Sequence, residues 1–180
     1  MNLNIGSGYK RIDGFLNVDF NPDCKPDFLV DVGKETWPME DSSVEKVIVH
    51  HVLEHFGEDF FHVMQELYRV CKDGAIIDVL VPFPRHDTFL IDPTHRRPIL
   101  PATLAMFSKK HNRNDIENGG RETPIGIMYD VDFEMIDFRF TLEPSYQKRF
   151  QTLTEEECQR IVNESFNVII ETQILLMVVK

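Results

Sequence analysis

The stretch LNIGSGYKRIDGFLNVDF, Leu3 to Phe20, decides how the rest of the chain is read. Leu3-Asn4-Ile5 starts a short strand, and Gly6-Ser7-Gly8 ends it sharply. Phe15-Leu16-Asn17-Val18-Asp19 reads as a second strand that stops on a carboxylate. Strands joined by a glycine turn, the next one ending in an acid, are the opening of an α/β sheet that binds its ligand beyond the strands' carboxyl ends. The two glycines allow a sharp turn and a close approach of backbone to ligand. Arg11 stands where GxGxxG would place its third glycine, and Asp19 follows only 11 residues after Gly8. That spacing is too short for an ordinary nicotinamide-binding βαβ unit.

Working outward, Phe28-Leu29-Val30-Asp31, Val47-Ile48-Val49 and Ala75 to Val81 are the third, fourth and fifth strands. They do not alternate with polar residues, as expected of parallel strands buried on both faces. A helix is predicted from Glu58 to Lys72, with Phe60, Val63, Met64, Leu67, Val70 and Cys71 at helical spacing and Gly74 as its stop. A second helix starts at Thr154, where Thr154 and Glu157 have capping-box spacing and Cys158, Ile161, Val162 and Phe166 form one face. The last strand, Val168 to Val179, is apolar almost throughout. Residues 82–132 hold six of the ten prolines and are read as a lid-like insertion after strand five, over the strands' carboxyl ends. The fold expected is one doubly wound, Rossmann-like domain over residues 1–180, with a mostly parallel sheet and an antiparallel final strand.

Composition narrows the function classes. The 180 residues contain 42% hydrophobic and 27% charged residues, the values of an ordinary globular domain. A net charge of −11 argues against general affinity for nucleic-acid phosphates. Cys24, Cys71 and Cys158 are scattered, with no CxxC pair, which points away from a zinc knuckle or disulfide framework and toward a reducing cytoplasm. No signal-peptide pattern opens the chain, and Ile174 to Val179 is too short to span a bilayer.

LNIGSGYKRIDGFLNVDF followed by DFLVDVGKETWPMEDSSVEKVIVHHVLEHF resembles the class I S-adenosylmethionine-dependent methyltransferases, in particular their type-11-like branch. Gly6 and Gly8, Asp19, Asp31, Trp37-Pro38-Met39 and His51-Val52-Leu53-Glu54-His55 match that family's motifs in order and spacing, across about residues 3 to 82. The resemblance implies methyl transfer from S-adenosylmethionine and a cofactor site at Gly6, Ser7, Gly8, Asp19, Phe20, Asp31, Val32 and His50. Asp19 would accept from the ribose hydroxyls and Asp31 from the adenine amino group. One departure from the pattern is that only six residues separate Gly8 from Phe15, so the pocket is open on one side unless the insertion or a second subunit closes it.

The acceptor is expected to be small and anionic or sugar-like. No Asn/Asp-Pro-Pro-Tyr motif follows strand four, which argues against methylation of a nucleobase amine. His95 is the first candidate base, with Asp92 orienting it, and His51 is the second. Arg96, Arg97 and His86 are candidate acceptor-binding residues, because the segment Arg85 to Arg113 reverses the chain's acidic charge. Metal-dependent hydrolysis is a rival, weakened by the lack of HExxH spacing, so no metal is expected. A cofactor-binding subunit without catalysis is a second rival.

Overall fold

The computed structural model describes residues 1–180. β1 (Asn2–Ile5), β2 (Leu16–Asp19) and β3 (Phe28–Leu29) are joined without any α-helix, and β3 runs by a loop into β4 (Val44–His50). Helix α1 (Phe60–Val70) leads to β5 (Cys71–Pro82). Four short helices follow, α2 (Asp87–Leu90), α3 (Pro101–Ala105), α4 (Lys109–Glu117) and α5 (Ile125–Met128). The chain ends with β6 (Phe133–Leu142), α6 (Pro144–Phe150), α7 (Glu155–Glu164) and β7 (Ile169–Val178). The seven strands lie in the order β3-β2-β1-β4-β5-β7-β6. β1 through β5 pair in parallel, whereas β7 runs antiparallel to both β5 and β6. The Rossmann-like α/β class, the mostly parallel sheet and the antiparallel final strand are therefore as expected. No helix is long and apolar enough to cross a membrane.

The strands are not buried equally on both faces. Val47, Val49, Ile77, Val79, Val81, Ile174, Leu176 and Val178 are buried and share one core cluster with α1 residues Phe60, Val63, Met64 and Leu67. Their neighbours Ile48, Ile76, Asp78, Leu80, Leu175 and Met177 are only half-buried. The expectation of two buried faces fails because the first three connections supply no helix to form a second layer.

In place of a helix before β4 stands a loop plugged by Trp37. Its indole N–H donates to Val32 O (3.0 Å), and its backbone N–H donates to Glu66 Oε2 (2.7 Å) on α1. Arg69 of α1 donates to the carbonyls of Trp37 and Met39 and pairs with Glu66 and Asp41. One turn of helix thus satisfies the backbone of an irregular loop.

Two boundaries differ from the sequence reading. α1 stops at Val70, and Cys71 already pairs with Val44 of β4. The chain then bulges through Gly74, at a φ of +73°, before Ile76 resumes the register. At the C-terminal side, Thr154 does cap α7 with both capping-box hydrogen bonds, but Phe166 is exposed. Within residues 82–132, Ile99, Leu104, Phe107 and Val131 are fully buried in the main core. Much of this stretch is therefore a helical layer, and its first part runs past the strand ends.

Candidate functional site

At the carboxyl ends of β1 and β2, Gly6 and Gly8 adopt φ values of +61° and +50°. A Cβ on Gly6 would lie 2.4 Å from Val52 Cγ2, so the turn has room only for glycine. The carboxylate of Asp19, almost fully buried, accepts from Gly8 N (2.8 Å) and from Asn21 N (2.9 Å). The acid that ends β2 thereby holds the glycine turn against the strand end. Asp31 accepts from Gly33 N and pairs with Lys34 at 2.6 Å.

These groups border a cavity of about 510 Å³, within the size range of small-molecule sites. Gly6, Gly8, Asp19, Phe20, Asp31 and Val32 line it, joined by His51, Val52, His55 and Thr94. Ser7 is buried between the two glycines, outside the lining. His50 is not part of it. Adjacent strand residues point to opposite faces, and His50 sits 3.4 Å from Asp78 on the less covered side of the sheet. A wider depression of about 1140 Å³ lies along α7, lined by polar residues alone and distant in sequence from the strand-end motifs.

A second, smaller cavity of about 130 Å³ adjoins the first and shares His51 with it. Its other walls are Pro82, Thr88, His95, Ile170 and Glu171. His51 has a φ of +55°, a strained conformation for a histidine. Its ring lies between two carboxylates, with Nδ1 3.6 Å from Glu54 and Nε2 3.5 Å from Glu171. The nearby Glu54 carboxylate raises the His51 pKa above its ordinary value, opposed by burial and aided by the charge of Glu171.

His95 approaches the same place from the segment after α2. Its Nδ1 meets the carbonyl of Phe89 at 2.9 Å, so Nδ1 carries a proton, and in the neutral ring the lone pair is on Nε2. Nε2 lies 3.9 Å from Glu54 and 3.7 Å from Asp92. The Phe89 carbonyl orients the ring, while Asp92 Oδ1 accepts from Thr94 N (2.8 Å) and Thr94 Oγ1 (2.6 Å) and Asp92 Oδ2 faces His95 Nε2.

Two of the remaining acceptor candidates, His86 and Arg97, have structural partners. His86 caps α2 by accepting from Thr88 N and faces Glu143 at 3.2 Å, with little exposure. Arg97 lies over the Phe60 ring at 4.6 Å and donates to Gly57 O, which fastens the segment to α1. Arg85 donates to the carbonyls of Val162 and Asn163, Lys109 pairs with Asp130, and Lys110 pairs with Glu134. Arg96 is exposed, and its backbone N–H, like that of Arg97, bonds to Glu54 O. The basic run is thus largely a set of structural contacts. Sequence reasoning did not identify Thr88, Ile170 and Glu171 as lining residues, nor the buried side chain of Glu54.

Residues 17–78 match the methyltransferase domain family. Among solved structures, an S-adenosylmethionine-dependent methyltransferase from Archaeoglobus fulgidus is similar at 21% identity and a TM-score of 0.57, over 98% of this chain and 85% of that one. One from Methanosarcina mazei gives 14% identity and a TM-score of 0.57, over 99% and 92%. Haemonchus contortus phosphoethanolamine N-methyltransferase 2, solved with phosphomonomethylethanolamine and S-adenosylhomocysteine, gives 13% and 0.55, over 99% of this chain and 48% of that one. No curated protein matches the sequence.

Proposed function

From a chain that carries the type-11 methyltransferase domain on the class I, S-adenosylmethionine-dependent methyltransferase fold, we propose methyl transfer to a small, hydroxyl-bearing acceptor seated beside His51. The enzyme is a methyltransferase and its cofactor is S-adenosylmethionine. The observation that carries the reading is the 510 Å³ cavity in which the glycine turn, Asp19 and Asp31 succeed one another along the strand ends. The residues fit the cofactor. Gly6 leaves a cradle that any side chain would fill, and Asp19, an acceptor-only carboxylate with spare lone pairs, suits ribose hydroxyls. Asp31 and Val32 line the cavity farther along the strand ends, where the adenine amino group would meet Asp31.

When bound, the cofactor supplies an electrophilic methyl group on a sulfonium. In-line displacement needs the acceptor atom held in place more than it needs chemistry from the protein. In this reading that atom sits at the wall the two cavities share, beside His51. As the acceptor oxygen gains the methyl group it loses its proton, and His51, which lines both cavities, is the base we assign to receive it. A 130 Å³ cavity bounds the reacting part of the acceptor to a small group. With Arg97, Lys109 and Lys110 engaged in contacts of their own, a neutral, sugar-like acceptor fits better than a polyanion.

Isothermal calorimetry tests this directly. S-adenosylhomocysteine is expected to bind the full chain with one site, and a nicotinamide dinucleotide to give no heat. Absence of heat with both S-adenosylmethionine and S-adenosylhomocysteine at millimolar concentration would overturn the reading.

A further inference from the structure

We propose that Glu54, His55 and His95 hold a divalent transition-metal ion at the border of the two cavities. A ligand atom from each of the three lies within 4.8 Å of the others. Glu54 is 1% exposed, and neither of its carboxylate oxygens has a hydrogen-bond partner. A buried carboxylate without partners is costly, and it calls for a counter-charge. Its immediate neighbours are imidazole nitrogens, His51 Nδ1 at 3.6 Å and His95 Nε2 at 3.9 Å. Ligands around a tetrahedral ion with bonds of about 2.0–2.1 Å stand about 3.4 Å apart, so small rotations would complete the site.

The atoms behind the histidines point to the same conclusion. Metal-binding histidines commonly donate the distal ring N–H to a carbonyl or carboxylate, which fixes the tautomer that ligates. His95 does so through Nδ1 and the Phe89 carbonyl at 2.9 Å. His55 Nδ1 meets Thr94 Oγ1 at 2.9 Å, and that hydroxyl gives its only proton to Asp92 Oδ1 at 2.6 Å. The hydroxyl must therefore accept from His55, so Nδ1 carries the proton and Nε2 the lone pair. In their neutral forms both rings thus present an Nε2 lone pair while Asp92, Thr94 and Phe89 hold them from behind.

Two imidazoles and one carboxylate form the ligand set of zinc and ferrous sites that keep coordination positions open. His95 walls the acceptor cavity and His55 the cofactor cavity, so an open position would face the reacting centre. The ion would bind the acceptor oxygen and ease loss of its proton, leaving His51 to receive it. This revises the expectation of a metal-free enzyme. It deepens the methyltransferase reading but is read out separately.

The test is cobalt titration of the full chain after chelator stripping, followed by absorbance and calorimetry. One ion per chain is expected to bind, with a ligand-field spectrum of nitrogen and oxygen ligation. Uptake should be lost in Glu54→Gln and in His95→Gln. Thr94→Val, which removes only the hydroxyl behind His55, should weaken it by about 10–100-fold. S-adenosylhomocysteine calorimetry on each variant establishes that it is folded, and on the wild type reports the cofactor reading independently. No cobalt uptake by the wild type, or equal uptake by Glu54→Gln, would overturn the metal site. An unchanged affinity in Thr94→Val would remove His55 from it.

Discussion

The two cavities share a wall at His51 but are built in different ways. Most of the large one comes from residues 6 to 34, through backbone turns and strand-end carboxylates that follow one another along the chain. The small one gathers side chains from residues 51, 82, 88, 95, 170 and 171. A site of the first kind depends on local backbone conformation. A site of the second kind depends on the sheet bringing distant segments together. The first should therefore fail through backbone substitutions and the second through side-chain substitutions that leave the fold alone.

Gly6→Ala should give the largest effect and strike only the first kind. It places a Cβ at a φ of +61° and 2.4 Å from Val52 Cγ2. Left-handed strain of about 1–2 kcal/mol and overpacking of about 1–3 kcal/mol should abolish S-adenosylhomocysteine binding by calorimetry and lower the melting temperature. Full affinity in this variant would show that the turn does not shape the cavity.

His51→Asn should strike the second kind. Asparagine tolerates the positive φ of this position, so the backbone is kept while the imidazole is lost. Turnover, followed by S-adenosylhomocysteine release, should drop about 10²–10⁴-fold, with cofactor affinity changed by only a few-fold. A parallel loss of affinity would mean that the cavities are not separable.

Asp19→Asn should weaken S-adenosylhomocysteine binding about 10–100-fold, in line with the roughly 1.5–3 kcal/mol of a hydrogen bond to a charged group. Thermal stability should fall slightly, because Gly8 N and Asn21 N lose a charged acceptor. The smallest effect is expected at Arg97→Ala. Loss of its contacts with Phe60 and Gly57 O should cost about 1–3 kcal/mol of stability and leave acceptor selectivity unaltered. A raised acceptor KM with an unchanged melting temperature would return Arg97 to the binding site.

The same division explains what the sequence made legible. Gly6, Gly8, Asp19 and Asp31 could be read because their spacing along the chain is the geometry itself. Glu171 and Ile170 could not, since nothing local ties the start of β7 to the end of β4. The contacts of Arg97 with the Phe60 ring and Gly57 O are not legible locally, because those partners lie about 40 positions upstream. The position of β6 is not legible in the sequence for another reason. β6 is an edge strand carrying Glu134, Asp137 and Arg139, with none of the uniform apolarity that marks its neighbours. His50 was misplaced although the period-2 rule already separates it from His51.

β3 is the opposite edge of the sheet, only two residues long, and it contacts little beyond β2. Short edges of this kind open locally at much lower free energy than the whole domain unfolds. Yet Asp31, Val32 and Lys34, which border the large cavity, follow directly from it. A ligand that engages them stabilises the closed edge by mass action. Amide exchange in the β2–β3 region should therefore slow on saturation with S-adenosylhomocysteine, while the amides of β5 and β7, already limited by global unfolding, slow only as far as the whole domain is stabilised. Occupancy would then be written in the protection of one edge strand, and a protease could read it there.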